Sequence, residues 1–522
     1  MGMGYIAGSD RSQGLLLPES LEDYIDGDHA VRFLDAFVDG LDLTACGFER
    51  TKPADTGRPP FAPGDLLKLY LWGYLNQTRS SRRLEKECSR NLEVIWLMRK
   101  LQPDFKTIAD FRKDNAKAFK MVFRQFNLLC RELDLFGREL VAIDGTKLKA
   151  VNSPARNYSK SKLRDLLERI DARLEEYLGA MDAADNSEQS EGTPRTGSVP
   201  QLQKKIETLR ERQSRYRGTL EELERSGAGE VSLTDPDSGS MWKSGIGYNA
   251  QIAVDAKHKL IAAQEVVNDK TDHGQLAPMA QAAMEELDVE KIKAVADGGY
   301  YDHNGIAQCE TIGVEAYLPR LHKGKAVSEG RFDKTQFHYD SATDAYRCPA
   351  GATLGKESQT LRDGEVHFIY SHAKACRQCP LKAQCTPAGY RRIMRWEGEA
   401  ALDRMHARVE ANPEMITLRK ELVEHPFGTM KFWMGHHTFL MRGFENVRAE
   451  FSLTTLTYNI KRVLNIVGVE RLLEALRKRT QAGKSASTSL FTEYNIAIKG
   501  CPVLWRSIVR ASAQNLPLPL RF

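Results

Sequence analysis

The sequence predicts an α/β fold with a helical N-terminal domain, and three observations carry that expectation. Residues 15 to about 136 read as helical. Four later apolar runs read as strands, two of them reaching an aspartate followed by glycine. Between the first two strands lies a long stretch with helical periodicity and no strand signal.

The N-terminal helices come first. Leu66, Leu67, Leu69, Tyr70 and Tyr74 recur at helical spacing, with Pro63 at the expected start and Asp65 in the first turn. After Pro103, Thr107 precedes a short run with Ile108 and Phe111 on one side and Arg112 and Lys113 beside it. From Arg79 to Lys120 there are twelve Lys/Arg against six Asp/Glu. A two-to-one basic excess on short helices suits either a phosphate backbone or a solvated face. Arg79, Arg82, Arg83, Arg112 and Lys113 are the DNA-binding candidates.

The strands follow. Leu140–Ile143 is apolar and leads into Asp144 and Gly145; Tyr248–Asp255 and Leu260–Val267 are joined by a short turn; Ile292–Tyr300 contains Asp297 and Gly298. Phosphodiester chemistry with two metal ions needs carboxylates from separated segments to converge, because Mg²⁺ takes oxygen ligands. A strand end holds such a ligand rigidly, and a following glycine is expected to let the backbone turn away. An isolated Asp-Gly is otherwise a common turn. Asp235, Asp237, Asp255 and Asp269 read as turn and loop carboxylates.

In the stretch 159–229, Leu163, Leu167, Ile170, Leu174 and Leu178 form one apolar stripe, and Leu202, Ile206, Leu209, Tyr216, Leu220 and Leu223 a second. The polar run Asp182–Pro200 between them reads as a flexible loop, so two helices fold back on each other. Residues from Arg320 to about Gly389 read as irregular. They carry Cys348, Cys376, Cys379 and Cys385, the last three spaced C-x2-C-x5-C. Four thiolates suit a tetrahedral structural Zn²⁺; the alternative is four reduced cysteines in a loop-rich segment. His436 and His437 read as surface or DNA-facing residues. Glu450–Arg479 returns to helix.

Bulk properties limit the classes. With 522 residues, 41% hydrophobic and 28% charged, the chain is long enough for several domains, and its net charge of +5 says little alone. No run nears eighteen apolar residues and no basic-then-apolar leader opens the chain, so a cytoplasmic, nucleoid-associated protein is expected. Nine irregularly spaced cysteines do not suggest a disulfide framework. No G-x-x-x-x-G-K-[ST] loop appears, which fits chemistry without ATP.

AIDGTKLKA, AVADGGYYD and RKELVEHPFGTMK resemble the three acidic blocks of bacterial insertion-sequence DDE transposases. The N-terminal LEDYIDGDHAVRFLDAFVDGLDL and RPPFAPGDLLKLYLWGYLNQ resemble the helical domain of that family. YRCPAG, CRQCP and KAQC resemble the cysteine segment of the group of insertion sequence 1182, within superfamily five. The resemblance implies an RNase H-like catalytic domain in which Asp144, Asp297 and Glu424 are the first, second and third acids, holding two Mg²⁺ or Mn²⁺ ions. It also implies that Lys431 and Arg419 contact DNA, that the partners are element ends and target DNA, and that the protein works as a dimer or higher oligomer. Two departures stand out. Ile416 occupies the position where the family often has tyrosine, and Pro426 is expected to leave Glu424 at a helix end. Glu421 and Glu450 are the fallback third acids.

The expected domains are a helical DNA-binding domain, 1–136; a catalytic core, 137–158 and 230–318; a helical-hairpin insertion, 159–229; a cysteine-bearing insertion, 319–389; the rest of the core, 390–480; and a tail, 481–522. The expected function is terminal-repeat binding with DNA strand cleavage and transfer. The alternative is a catalytically silent DNA-binding regulator derived from a transposase.

Overall fold

The computed structural model describes residues 20–52, 59–191, 199–227, 229–241, 245–320 and 325–481. The expected tail from residue 482 on, with Cys501, lies outside these residues, as do 192–198 of the expected hairpin loop. The chain divides into two compact units, one running to Asn115 and resuming at Ile460, the other spanning Ala116–Asn459.

The first unit contains α1 (Ala30–Asp39), α2 (Pro63–Leu75), α3 (Ser81–Arg90), α4 (Leu92–Leu97) and α5 (Phe105–Asp114). Pro63 opens α2, where its missing N–H costs nothing, and Leu66, Leu67, Leu69, Tyr70 and Tyr74 are buried. Lys68 is buried as well, with its ammonium 2.6 Å from both Asp35 and Asp39 of α1. A charge so placed is tolerable only when paired. Asp104 caps α5 by accepting the N–H groups of Lys106 and Thr107.

The second unit opens with α6 (Ala116–Glu132), whose apolar face of Phe119, Val122, Phe123 and Phe126 is buried. Asn127 on this helix donates to the carbonyls of Ile261 and Ala262. The chain then enters β1 (Leu140–Lys149) and the short β2 (Asn157–Ser159), and rises into α7 (Lys160–Glu191) and α8 (Val199–Arg225). These helices pack through Ile170, Leu174, Ile206 and Leu209, which is the expected hairpin. The polar segment from Asp182 continues α7 as far as Glu191 instead of opening into a loop. Its residues, mostly Ala, Asp, Asn, Glu, Gln and Ser, contain no Gly or Pro before 192 to stop the helix.

Next come β3 (Glu230–Ser232), which pairs with β2, then β4 (Gly239–Met241), β5 (Gly245–Asp255) and β6 (Ile261–Val267). After α9 (Leu276–Leu287) follow β7 (Ile292–Val295), α10 (His303–Thr311) and β8 (Val314–Tyr317). The main sheet runs β5-β1-β7-β8, with β4 and β6 both paired to β5. β1, β7 and β8 are parallel; β5 is antiparallel to β1, β4 and β6.

After a one-turn helix α11 (Lys325–Ser328), the segment expected to be irregular forms an antiparallel sheet instead. Its strands are β9 (His338–Asp340), β10 (Ala345–Arg347), β11 (Thr353–Arg362) and β12 (Glu365–Ser371). Helices α12 (Ala373–Arg377) and α13 (Lys382–Cys385) follow, and β13 (Arg392–Trp396) completes the order β13-β12-β11-β10-β9. Tyr346 and Tyr370 are buried with Phe337, Leu354 and Ile393, and Arg395 lies 3.6 Å over the Tyr339 ring. The unit closes with α14 (Glu399–Ala411), α15 (Glu414–Gly428) and α16 (Phe444–Val467), the last belonging to this unit as far as Asn459. No described helix is long and apolar enough to cross a membrane.

Candidate active site

Parallel pairing fixes the frame of the site. Ala142 of β1 stands opposite Val295, the last residue of the parallel strand β7, so Asp144 on β1 and Asp297, two residues past the end of β7, lie on neighbouring segments. Asp297 follows the last residue of β7 by two and caps a 3-10 turn, Gly298–Tyr300, by accepting the Gly299 N–H at 2.8 Å. Asp144 does not end its strand. β1 runs on to Lys149, paired with β5 throughout, so the chain does not turn away at Gly145.

Gly145 is needed for a different reason. A Cβ there would stand 2.3 Å from Gln251 Nε2, 2.6 Å from Asp272 Oδ1 and 3.0 Å from Asn249 Oδ1. A polar network fills that space. Asp272 Oδ1 accepts from Lys147 Nζ (3.0 Å), Asn249 Nδ2 (2.9 Å) and Gln251 Nε2 (2.7 Å). The buried Tyr300 hydroxyl donates to Gln251 Oε1. None of these five residues stood out in the sequence. Asn249 and Gln251 did carry a signal, two amides on one face of an otherwise apolar strand; Asp272, in NDKTDHG, looks like any turn residue.

Both acids converge on one cation. Arg419 Nη2, from α15, lies 2.7 Å from Asp144 Oδ1 and 3.2 Å from Asp297 Oδ2. Desolvation pushes the Asp144 carboxyl up to about 6; Arg419 and the Gly145 N–H pull it down, and Asp297 adds to the rise. Lys431 is half-buried and desolvation lowers its ammonium, with Asp144 partly offsetting that. Lys431 sits on a π-helical turn, Thr429–Trp433, directly after α15. Such turns often mark functional sites.

Glu424 lies inside α15, not at its end. The helix continues past Pro426 to Gly428, and Glu424 is exposed. Proline restricts the residue before it but does not forbid helix there, and a helix that keeps one is usually kinked. Two carboxylates therefore share one positive charge, as oxygen ligands of a cation would. Among the described residues, however, no group of three or more His, Cys, Asp or Glu side chains is arranged to hold a metal ion. Of the fallback acids, Glu421 is exposed on α15, whereas Glu450 is buried and accepts the N–H groups of Leu440 and Met441.

The remaining candidates are placed as follows. Arg82, Arg83 and Lys113 are exposed and Arg79 is half-buried. Arg112 turns inward: it is buried, 3.3 Å from the Tyr74 hydroxyl and over the Tyr70 ring. His437 is exposed, but His436 is buried and bonded to Thr454 Oγ1 at 2.7 Å, contrary to its reading as a surface residue. Phe439 and Phe451 wall its ring. Asp235 accepts from Tyr248 and Gly443, Asp237 from Phe444 N at the start of α16, Asp255 from Gly137 and Arg138, and Asp269 from Gln275. Asp237 and Asp269 fit the turn and loop reading, whereas Asp235 and Asp255 are fully buried and Asp255 ends β5. Cys348, Cys376, Cys379 and Cys385 are free and half-buried. Burial raises the Cys385 thiol, Arg391 opposes the rise, and the other three thiols add to it. Cys348 and Cys385 pack against the tyrosine cluster, but among the described residues the four are not arranged as a metal site.

Residues 19–114 match the family described as Transposase domain (DUF772), and residues 347–464 match the Transposase DDE domain. The second stretch holds Arg419, Glu424, Lys431 and the four cysteines; Asp144 and Asp297 precede it. No curated protein matches the chain. Among solved structures, the piggyBac transposase in a cryo-EM synaptic complex with hairpin DNA aligns over 95% of this chain and 87% of that chain. Its identity is 9% and its TM-score 0.27, too distant a likeness to carry an argument. Two stretches of this chain thus match transposase domains, one of the DDE type, and these matches support a link to DNA transposition.

Proposed function

We propose that the chain is a DDE transposase that binds the terminal inverted repeats of its insertion sequence, cleaves the DNA there and joins the freed ends to a target. One observation carries this reading: Asp144 of β1 and Asp297, two residues past the end of the neighbouring parallel strand β7, converge on a single cation in a chain of which residues 347–464 match a Transposase DDE domain. The mixed sheet, with one acid on β1 and another two residues past the end of its parallel neighbour β7, supports an RNase H-like catalytic domain.

Asp144 and Asp297 would hold divalent Mg²⁺ or Mn²⁺, with Glu424 as the third acid. Ions held there would supply activation of a water or a DNA 3′-hydroxyl and neutralisation of charge on the leaving oxygen. For this, Asp144 must be ionised, which its desolvated position resists at low pH. Arg419 bridges the two acids, and a cation bound there would compete with its guanidinium, leaving it to pair with a DNA phosphate. Lys431, close enough to feel the Asp144 charge, offers a second phosphate contact. Arg79, Arg82, Arg83 and Lys113 are proposed phosphate contacts of the N-terminal helices, with Arg112 excluded by its burial. The protein would act as a dimer or higher oligomer, because two ends are cut and joined. Zinc at the four cysteines is decided by metal analysis of the purified chain: one zinc per chain supports it, and none leaves four reduced thiols.

The Arg419 bridge is also the observation that favours a second reading, a DNA-binding regulator whose acids are held closed. A strand-transfer assay separates the two. Pre-cut terminal-repeat DNA and a supercoiled plasmid, with Mn²⁺, yield joined product from a transposase. Tight repeat binding with no joined product under any divalent ion supports the regulator.

A further inference from the structure

We infer that Asp272 is a positioning residue of the proposed active centre, fixing the turn that carries Asp297 and holding Lys147 beside it. The inference rests on reading Asp144 and Asp297 as the reacting acids.

Successive residues of a strand face opposite sides, so Asp144 meets Arg419 while Gly145 and Lys147 face the other way. On that second face Asp272 is the hub. It comes from the loop after β6, held by a turn in which its carbonyl accepts the Gln275 N–H at 3.1 Å. One of its oxygens collects three donors from two strands: Lys147 of β1, and Asn249 and Gln251 of β5. Asn249 and Gln251 are fully buried, and amides so placed need their partners. Gln251 then receives the hydroxyl of Tyr300, the last residue of the turn capped by Asp297. Asp272 Oδ2 lies 3.6 Å from where a Cβ on Gly299 would stand, a point only 2.9 Å from Asp297 Oδ1. Asp272 thus lies beside the same turn and is linked to it through Gln251 and Tyr300. The missing side chain at Gly145 is what lets this hub sit against β1.

A carboxylate is suited to this position because one oxygen can accept several donors, including the charged Lys147. An error of an ångström at Asp297 is costly, since catalytic groups work only when held close to their productive geometry.

The test uses the full chain with Asp272→Ala, Asp272→Asn and Tyr300→Phe. Readouts are kcat and KM for cleavage of terminal-repeat DNA, Mn²⁺ binding from loss of the free-ion resonance signal, and thermal melting. Asp272→Ala is expected to lower kcat about tenfold or more, leave KM within about twofold, and weaken Mn²⁺ binding several-fold. Asp272→Asn keeps an accepting oxygen and is expected to recover part of the loss. Tyr300→Phe should reproduce the kcat effect, and adding it to Asp272→Ala should cost little more, as expected for residues in one chain of contacts. Native kcat and Mn²⁺ binding in Asp272→Ala overturn the inference. So does a kcat that falls only in proportion to folded protein in both Asp272 variants. A native chain that neither cuts nor binds Mn²⁺ overturns the function itself, and this inference with it.

Discussion

Asp144 is the residue whose chemistry is most exposed to test. Desolvation raises its carboxyl to about 6, while Arg419 and the Gly145 N–H hold it from rising further. A metal ion competes with that proton, so cleavage should fall about tenfold per pH unit below 6, visible in a pH–rate profile at fixed Mn²⁺. The same shift sets a stability effect. A carboxyl whose folded value is raised contributes stability that is present below its unfolded value, near 4, and lost as pH rises through 6. Asp144→Asn should therefore abolish cleavage yet stabilise the metal-free chain by about 1–3 kcal/mol at pH 8. That gain should shrink as pH falls from 6 towards 4, as thermal melts at both ends would register. Gly145→Ala should destabilise by about 1–3 kcal/mol, because the methyl displaces side chains that satisfy one another.

Legibility at this scale was uneven. Asp144 and Asp297 stand out because each follows an apolar run, a signal that needs no knowledge of tertiary contacts. Gly145 was visible as a glycine, but its purpose was not, since the atoms it avoids come from residues 249, 251 and 272. Asp272 was invisible for the same reason. A hub residue is defined by partners that the order of residues does not reveal.

Among the elements, β1, β5, β6 and β7 were readable because the main sheet is largely buried and each of these strands contains an apolar run. The antiparallel sheet was not. TLGKESQTLR of β11 is exposed at nearly every position, so it lacks the apolar alternation that betrays a strand. It is held by its ladder to β12 and by the tyrosine cluster at one end. α15 poses the sharper functional question. Glu424 is exposed on it, so Glu424→Ala should leave the melting temperature within a degree or two while removing cleavage, and Glu421→Ala, equally exposed, should change neither. Glu450→Ala should behave in the opposite way. It strips the acceptor from two backbone N–H groups and should cost about 2–3 kcal/mol in a denaturation experiment, marking it as structural.

For the whole molecule, the distribution of charge is more specific than its sum of +5. The basic run of the N-terminal helices leaves Arg82, Arg83 and Lys113 exposed while Arg112 is spent inside. Each exposed residue changed to Ala should weaken repeat binding and lower the salt dependence of affinity by about one counterion, without altering sequence preference. Arg112→Ala should instead lower stability, because its guanidinium packs on Tyr70 and Tyr74. The central claim is catalysis by acids of the second unit, and one measurement tests it most directly. A DNA fragment carrying the element's own terminal repeat is incubated with Mg²⁺ or Mn²⁺ and either the native chain or Asp297→Ala. The account predicts cutting at the repeat end by the native chain and none by the variant, with both binding the DNA. Equal cutting by both chains, or binding without cutting by the native chain under every divalent ion, would contradict it.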